Sequence, residues 1–577
     1  MSRWPLLMAA VVVADAVAAE PVALPAGTQL QRPIAIVVWP ERETAIVALE
    51  RAGTLVEVDY ERGAVNRTFG PFGVVADMDR LSPQQAIVAV SDPPSLVVVD
   101  VQANASGAHS TLRWPTRPTG LRVSGDGQRV AVVSRGARLV RCLQAADLKL
   151  PDAGSSIALP FQPGRCLWLP DHRHLLVADA YGGRLAIIDA AAGELASVRS
   201  IPAHNIAGLA LGRNGERVYL THQAIHGGAQ TSREDVHWGG ILTNVLRSVA
   251  VRDLLDPLAD VLAHNVTVHL GDIGRAAGDP AGVTIRSDGV AVATFAGVNE
   301  LAFDRGLGFE WKRVTVGARP TAVALTPDGQ QALVVNTLDD SLSVVRLAGE
   351  GTVQQTIPLG VPRELSAGER GERFFFDARL SHDGWMSCHS CHTDGHTNGQ
   401  LVDNFTDGTE YTPKRVLSLR GVRDTAPYAW DGHLATLSDQ VRHSVTSTMQ
   451  GEPLADSQVS DLVAYLSTLA VETEDRPNTD QTLIARGRRI FDRLECGRCH
   501  TSPSYTSAET YDVGLKDERG LDRFNPPSLR GLRAGDAFLH DGRAQRLEEV
   551  FQDQRHRLSA PLDEDELPAL TAFLKSL

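Results

Sequence analysis

Beyond its first residues the chain has no apolar run approaching the roughly 20 residues that span a bilayer, which excludes an internal membrane-crossing helix. It has no basic excess either. Lys and Arg number 56 against 70 Asp and Glu, giving a formal net charge of -14 and a pI near 5.7. An average surface of that sign repels nucleic acid and anionic membrane and is compatible with a basic protein partner. Methionine is scarce, with five in the chain and none after Met449. Cysteine is scarce too, and four of the six fall in two short motifs. The remainder is ordinary globular material, 43% hydrophobic and 22% charged over 577 residues, enough for two to four domains.

Met1-Ser2-Arg3 precedes an apolar run from Trp4 to Val17 that ends in the small residues Ala16-Val17-Ala18. This reads as a signal peptide over residues 1–18. Pro5 and Asp15 interrupt the run and argue against an uncleaved anchor. The expected location is the periplasm or the cell surface. In such an oxidising compartment Cys142 and Cys166, in consecutive repeats, fit either a disulfide or two separate buried thiols.

From about residue 30 to 350, turn residues followed by β-rich runs recur. Trp39-Pro40-Glu41 precedes TAIVAL, Ser82-Pro83-Gln84 precedes AIVAV, and Gly125-Asp126-Gly127 precedes RVAVV. Pro170-Asp171-His172, Arg213-Asn214-Gly215, Ser287-Asp288-Gly289 and Pro327-Asp328-Gly329 continue the series. Most lie about 40 to 45 residues apart, the length of one four-stranded propeller blade. Seven such phrases predict an all-β, seven-bladed propeller over residues 28–352. Second runs such as SLVVVDV and RLAIIDA alternate as strands with one buried face do. The segment resembles the YVTN-type β-propellers of secreted bacterial proteins. One interval, Asn214 to Asp288, is too long for a blade and holds His222, His226, His237, Trp238, His264 and His269. It reads as a rim insertion that docks onto the rest of the chain; metal binding is the alternative, although its histidine spacings match no standard site.

After Gly351 the texture becomes helical and duplicated. Gly371-Glu372-Arg373-Phe374-Phe375 leads into Cys388-His389-Ser390-Cys391-His392, and Gly487-Arg488-Arg489-Ile490-Phe491 leads into Cys496-Gly497-Arg498-Cys499-His500. Amphipathic segments around Asp461–Leu466 and Leu567–Leu574 follow each motif. In Cys-x-x-Cys-His the two thiols add to haem vinyl groups and the imidazole ligates the iron. Paired motifs in matching helical frames argue against zinc. Two tandem, mainly α cytochrome c units are expected, over 365–475 and 480–577, carrying two covalently bound haem c groups on Cys388, Cys391, Cys496 and Cys499. His392 and His500 are the proximal ligands.

The ordered phrases LSHDGWMSCHSCH, TPKRVLSLRGV, APYAWDGHLATLSDQV, FNPPSLRGL and FLHDGRAQRLEEVF resemble the bacterial diheme cytochrome c peroxidase and MauG superfamily. The resemblance implies a haem oxidoreductase that takes electrons from a small cytochrome or cupredoxin and reacts with hydrogen peroxide or oxygen. It places Trp430 between the haems, Gln440 on the distal side of the first and His540 near the second. Departures accompany it. Where the family keeps an acid-base glutamate this chain reads Thr448-Met449-Gln450-Gly451, leaving His443, His433 or Gln450 for proton transfer and Met449 as a candidate iron ligand. His396 is either a distal group or a solvated loop residue. No methionine is available to the second haem, so His556 is its expected sixth ligand, with Tyr505, Tyr511 or no protein ligand as alternatives. Arg415 stands where an asparagine ligand of the family's interdomain calcium is expected, which puts that ion in doubt. Three functions are compatible: a peroxidase, a MauG-like oxidase of a protein or organic substrate, and a non-enzymatic electron carrier with a propeller docking domain.

Overall fold

The computed structural model describes residues 29–102, 109–150, 154–304, 311–405, 408–471, 480–532 and 537–577. The expected signal peptide lies outside them. No helix among the described residues is long and apolar enough to cross a membrane.

Seven antiparallel sheets follow one another from Pro33 to Pro358, six of four strands and one of five. The first strand of each sheet touches the first strand of the next, and Pro320–Leu325 returns to Pro33–Trp39 to close the ring. This is a seven-bladed β-propeller. Its closure is pinned by Asp340, whose carboxylate accepts the Gln31 and Arg32 amides at 2.8 and 2.9 Å, and by Thr337 donating to the Pro33 carbonyl.

The central strands bury both faces rather than one. In Thr44–Leu49 every residue is buried: Ile46 and Ala48 pack with Met78, Val88 and Val90 of the next sheet, while Ala45, Val47 and Leu49 pack with Leu333 and Val335 of the last. A strand sandwiched between two neighbouring sheets needs an unbroken apolar run, and each Val or Leu so covered stabilises by about 1.5–3 kcal/mol. Alternation survives only in outer strands such as Thr352–Pro358. Cys142 and Cys166, on adjacent sheets, share one core with Phe161 and Trp168 as free thiols, and burial pushes both up to about 12.

The long fifth interval builds the five-stranded sheet. Strands Arg217–Ile225 and Leu242–Ala250 are each extended to nine residues and joined by an excursion carrying the helix Arg233–His237. That excursion docks onto the helical half, where the Thr231 amide donates to the Asp403 carbonyl. His222 and His264 are engaged locally, by Arg247 and Asp253.

Two helical units complete the chain, and each turns on a glycine. Helix Ala367–Phe375, capped by Ser366 and Glu369, crosses Asp456–Leu466 so closely that a Cβ on Gly371 would lie 1.9 Å from the Asp461 carbonyl oxygen. Helix Gln481–Arg493 crosses Glu566–Leu574 the same way, with Gly487 against the Ala569 carbonyl at the same 1.9 Å. Any side chain there would force the helices apart. The first unit is locked to the propeller by Arg32 and Arg51, which flank buried Glu372 at 2.6 and 3.6 Å, and by Arg319, whose guanidinium lies 3.3 Å above the Phe376 ring.

Candidate haem site

A single cavity of about 850 Å³ runs through the helical half and is lined by both Cys-x-x-Cys-His segments, by Trp430, and by Gln440, Met449 and His556. The two proximal candidates are held alike. His392 directs Nδ1 at the Leu417 carbonyl, 2.9 Å away, and His500 directs Nδ1 at the Tyr505 carbonyl, 3.1 Å away. Each bond leaves Nε2 as the nitrogen available to a metal, the arrangement that fixes a ligating imidazole. Burial pushes both histidines down to about 4, so both rings are neutral at pH 7 and can donate a lone pair. Burial likewise pushes the Cys388 and Cys391 thiols up to about 12. These residues fit two haem c groups, one at each motif.

The two motifs differ in cover. Helix Cys388–Cys391 sits on the propeller: the Ser390 carbonyl meets His204 Nε2 at 3.0 Å and accepts from Asn205 at 3.2 Å, Gln223 donates to Ser390 Oγ, and Ser387 and Ser390 both donate to the Asp279 carboxylate. In the second motif Gly497 and Arg498 are exposed.

Between the motifs, Trp430 donates its indole N–H to the Arg415 carbonyl at 2.9 Å and meets His540 edge-on at 6.4 Å. His540 in turn stacks on Phe524 at 4.3 Å. Beside Trp430, Arg415 donates to the Leu539 carbonyl, and buried Lys414 pairs with Asp517 at 3.0 Å across the joint of the two units. Two cations therefore occupy the joint where the resemblance expects calcium.

The remaining predicted residues separate. Gln440 lines the cavity and donates to Ser444. Met449 lines it too, at the end of the wide helical turn Ser444–Thr448, and packs with Trp385 and Met386. Gln450 instead donates to the carbonyls of Thr231 and Ser447, at 2.7 Å each, and is turned toward the propeller. Neither Gln450 nor His443 belongs to the cavity wall. His396 is a buried wall residue bonded to Ser418 Oγ at 2.8 Å, not a solvated loop histidine, because Tyr181 of the propeller covers it. His556 lines the cavity, its buried Nδ1 has no hydrogen-bond partner among the described residues, and its charge helps depress His500. Tyr511 also lines the cavity, with its hydroxyl donated to the Arg498 carbonyl, whereas Tyr505 is off the wall and packs on Phe491 and Phe573.

One wall residue escaped the sequence reading. Asp431 lines the cavity next to Trp430 and accepts from half-exposed His433 at 2.7 Å. Its only signal is its place in Trp-Asp-Gly.

Residues 367–473 match the family model described as di-haem cytochrome c peroxidase. The methylamine utilization protein MauG of Methylorubrum extorquens is 26% identical over 271 residues, 36% of this chain and 76% of that protein. The cytochrome c551 peroxidase of Nitrosomonas europaea is 23% identical over 310 residues, 43% of this chain and 92% of that protein. Among solved structures, hydrazine synthase of Kuenenia stuttgartiensis matches 56% of this chain and 97% of its own at 18% identity, with a TM-score of 0.48.

Proposed function

We propose that this chain, whose C-terminal region is a haem oxidoreductase module of the di-haem cytochrome c peroxidase and MauG type joined to a seven-bladed propeller, is exported to the periplasm and reduces hydrogen peroxide with electrons from a small cytochrome or cupredoxin. The observation that carries this reading is the single cavity containing both haem motifs and Trp430. Haem iron, when bound, supplies the redox chemistry, and an open coordination position on one iron is where peroxide would react.

The protein's contributions follow from the geometry. His392 and His500 hold one iron each, with Nδ1 tied to a carbonyl so that the rings cannot swing. His556, on the cavity wall, would offer its ring to an iron held at the second motif, and that haem would then serve as the electron-accepting group. The exposed Gly497-Arg498 edge is the docking point for the donor, because the propeller covers the first motif. Trp430 lies on the path between the haems. Gln440, Ser444 and Thr448 on the cavity wall would orient peroxide beside a haem held at the first motif, with Met449 as an apolar part of that wall. Asp431 replaces the missing glutamate: it exchanges a proton with the reacting oxygen and, through His433 at 2.7 Å, with solvent. No calcium is required at the joint, since Lys414 and Arg415 supply the positive charge there.

Steady-state peroxide consumption with a reduced small cytochrome tests the reading. Asp431→Asn should lower turnover and flatten its pH profile while leaving both haem spectra intact; an unchanged rate and profile would remove Asp431 from the mechanism. A MauG-like role is favoured by one observation, the absence of any methionine after Met449 to serve the second haem. A peroxide-dependent mass change in a co-purified protein, with no turnover of a small donor, would select it.

A further inference from the structure

The propeller excursion and the loop ahead of the first haem motif meet at three potential ligands that are not part of the cavity wall. His237 Nδ1 lies 3.2 Å from His382 Nε2 and 2.8 Å from an Asp383 carboxylate oxygen, and that oxygen is 3.5 Å from His382 Nε2. The three atoms belong to two different folding units, and all lie within 4.8 Å of one another. A tetrahedral ion with ligands at about 2.0–2.1 Å has edges of about 3.3–3.4 Å between them. The observed triangle of 2.8, 3.2 and 3.5 Å is close to one face of that tetrahedron.

Two facts argue that the triangle is built rather than incidental. Asp383 holds a left-handed backbone, φ 60°, that brings its carboxylate alongside the neighbouring imidazole. The His237 carbonyl accepts the Trp385 indole N–H at 3.2 Å, and a Cβ on Gly239 would strike the Trp385 ring at 2.8 Å, so the excursion is seated tightly on this loop. Two imidazoles and one carboxylate select a divalent first-row transition metal over calcium or magnesium.

We propose that His237, His382 and Asp383 form a metal site for a divalent first-row cation such as zinc, clamping the propeller excursion to the first haem unit. Three protein ligands leave the fourth position to water. The clamp acts near the haem, since the His382 amide donates to the Met449 carbonyl at 2.9 Å and the same loop runs into Cys388.

The test is calorimetric titration of zinc alone into the haem-loaded full chain after chelator treatment, with zinc-edge X-ray absorption on the loaded sample. One equivalent should bind, with two imidazoles and oxygen ligands around it. His237→Ala and Asp383→Asn, the latter chosen because Asn tolerates the left-handed backbone, should each weaken binding at least about tenfold. His226→Ala should leave it unchanged, because His226 stands outside the triangle and its ring pairs with Thr243 Oγ1 at 3.2 Å. Unaltered haem spectra and elution volume separate ligand loss from misfolding, and if one variant fails to fold the other gives the reading. No one-equivalent binding in the natural protein, or binding indifferent to both variants, overturns the proposal.

Discussion

Asp279 offers the clearest test of how the propeller serves the first haem. Its carboxylate, 7% exposed, accepts Ser390 Oγ at 2.6 Å and Ser387 Oγ on its other oxygen, bracing the turn that carries Cys388 and Cys391. Hydrogen bonds to a charged group contribute about 1.5–3 kcal/mol each, and an unmade buried one costs a similar amount. Asp279→Asn keeps the shape and tolerates the left-handed φ of 52°, but its amide nitrogen cannot accept, so one hydroxyl can no longer donate to it and the charge-assisted bond is lost. We expect a loss of ~2 kcal/mol for Asp279→Asn and ~4 kcal/mol for Asp279→Ala. Urea unfolding followed at the Soret band and by far-UV circular dichroism measures this. EPR of the folded variants should show a disturbed first haem and an unchanged second. If Asp279→Ala lies within about 0.5 kcal/mol of the natural protein, the bracing role is refuted.

Four further outcomes follow. His556→Ala should convert the second haem from low to high spin in the ferric EPR spectrum, whereas His556→Met should keep it six-coordinate at a higher reduction potential. Trp430→Phe loses the bond to the Arg415 carbonyl, about 1 kcal/mol, and trims the ring that meets Phe524 and His540, and it should slow electron exchange between the haems measured by stopped-flow absorbance. Burial works against ionising Glu369, but Arg363, Ser366 and the Leu30 amide hold its carboxyl down at about 2, below the ordinary 4.5. A depressed folded value stabilises above the unfolded value and is lost as pH falls from about 4.5 toward 2, so Glu369→Gln should flatten the acid limb of a melting-temperature profile in that window. Treatment with a calcium chelator should leave both haem spectra and turnover unchanged, because Lys414 and Arg415 fill the joint.

Features encoded within a few residues were legible in the sequence. The seven strand phrases reveal the blades because a strand between two sheets must carry an unbroken apolar run, as TAIVAL does. The matching segments that open at Gly371 and Gly487 reveal the duplicated helical units, while the close crossing that demands glycine at each emerges only in the fold. What the sequence hid is long-range. Asp279 reaches Ser387 across 108 residues, and His237 reaches Asp383 across 146. The family resemblance offered Gln450 for proton transfer, but the wide turn at Ser444–Thr448 rotates it toward Thr231. The buried state of His396 depended on Tyr181, a residue of another domain.

The central claim is that the first haem is open to peroxide while the second is closed by His556. Stopped-flow mixing of the haem-loaded chain, with the second haem reduced, against hydrogen peroxide tests it most directly. The account predicts a rapid spectral change at a high-spin first haem together with oxidation of the second; two low-spin haems whose spectra peroxide leaves unchanged would contradict it.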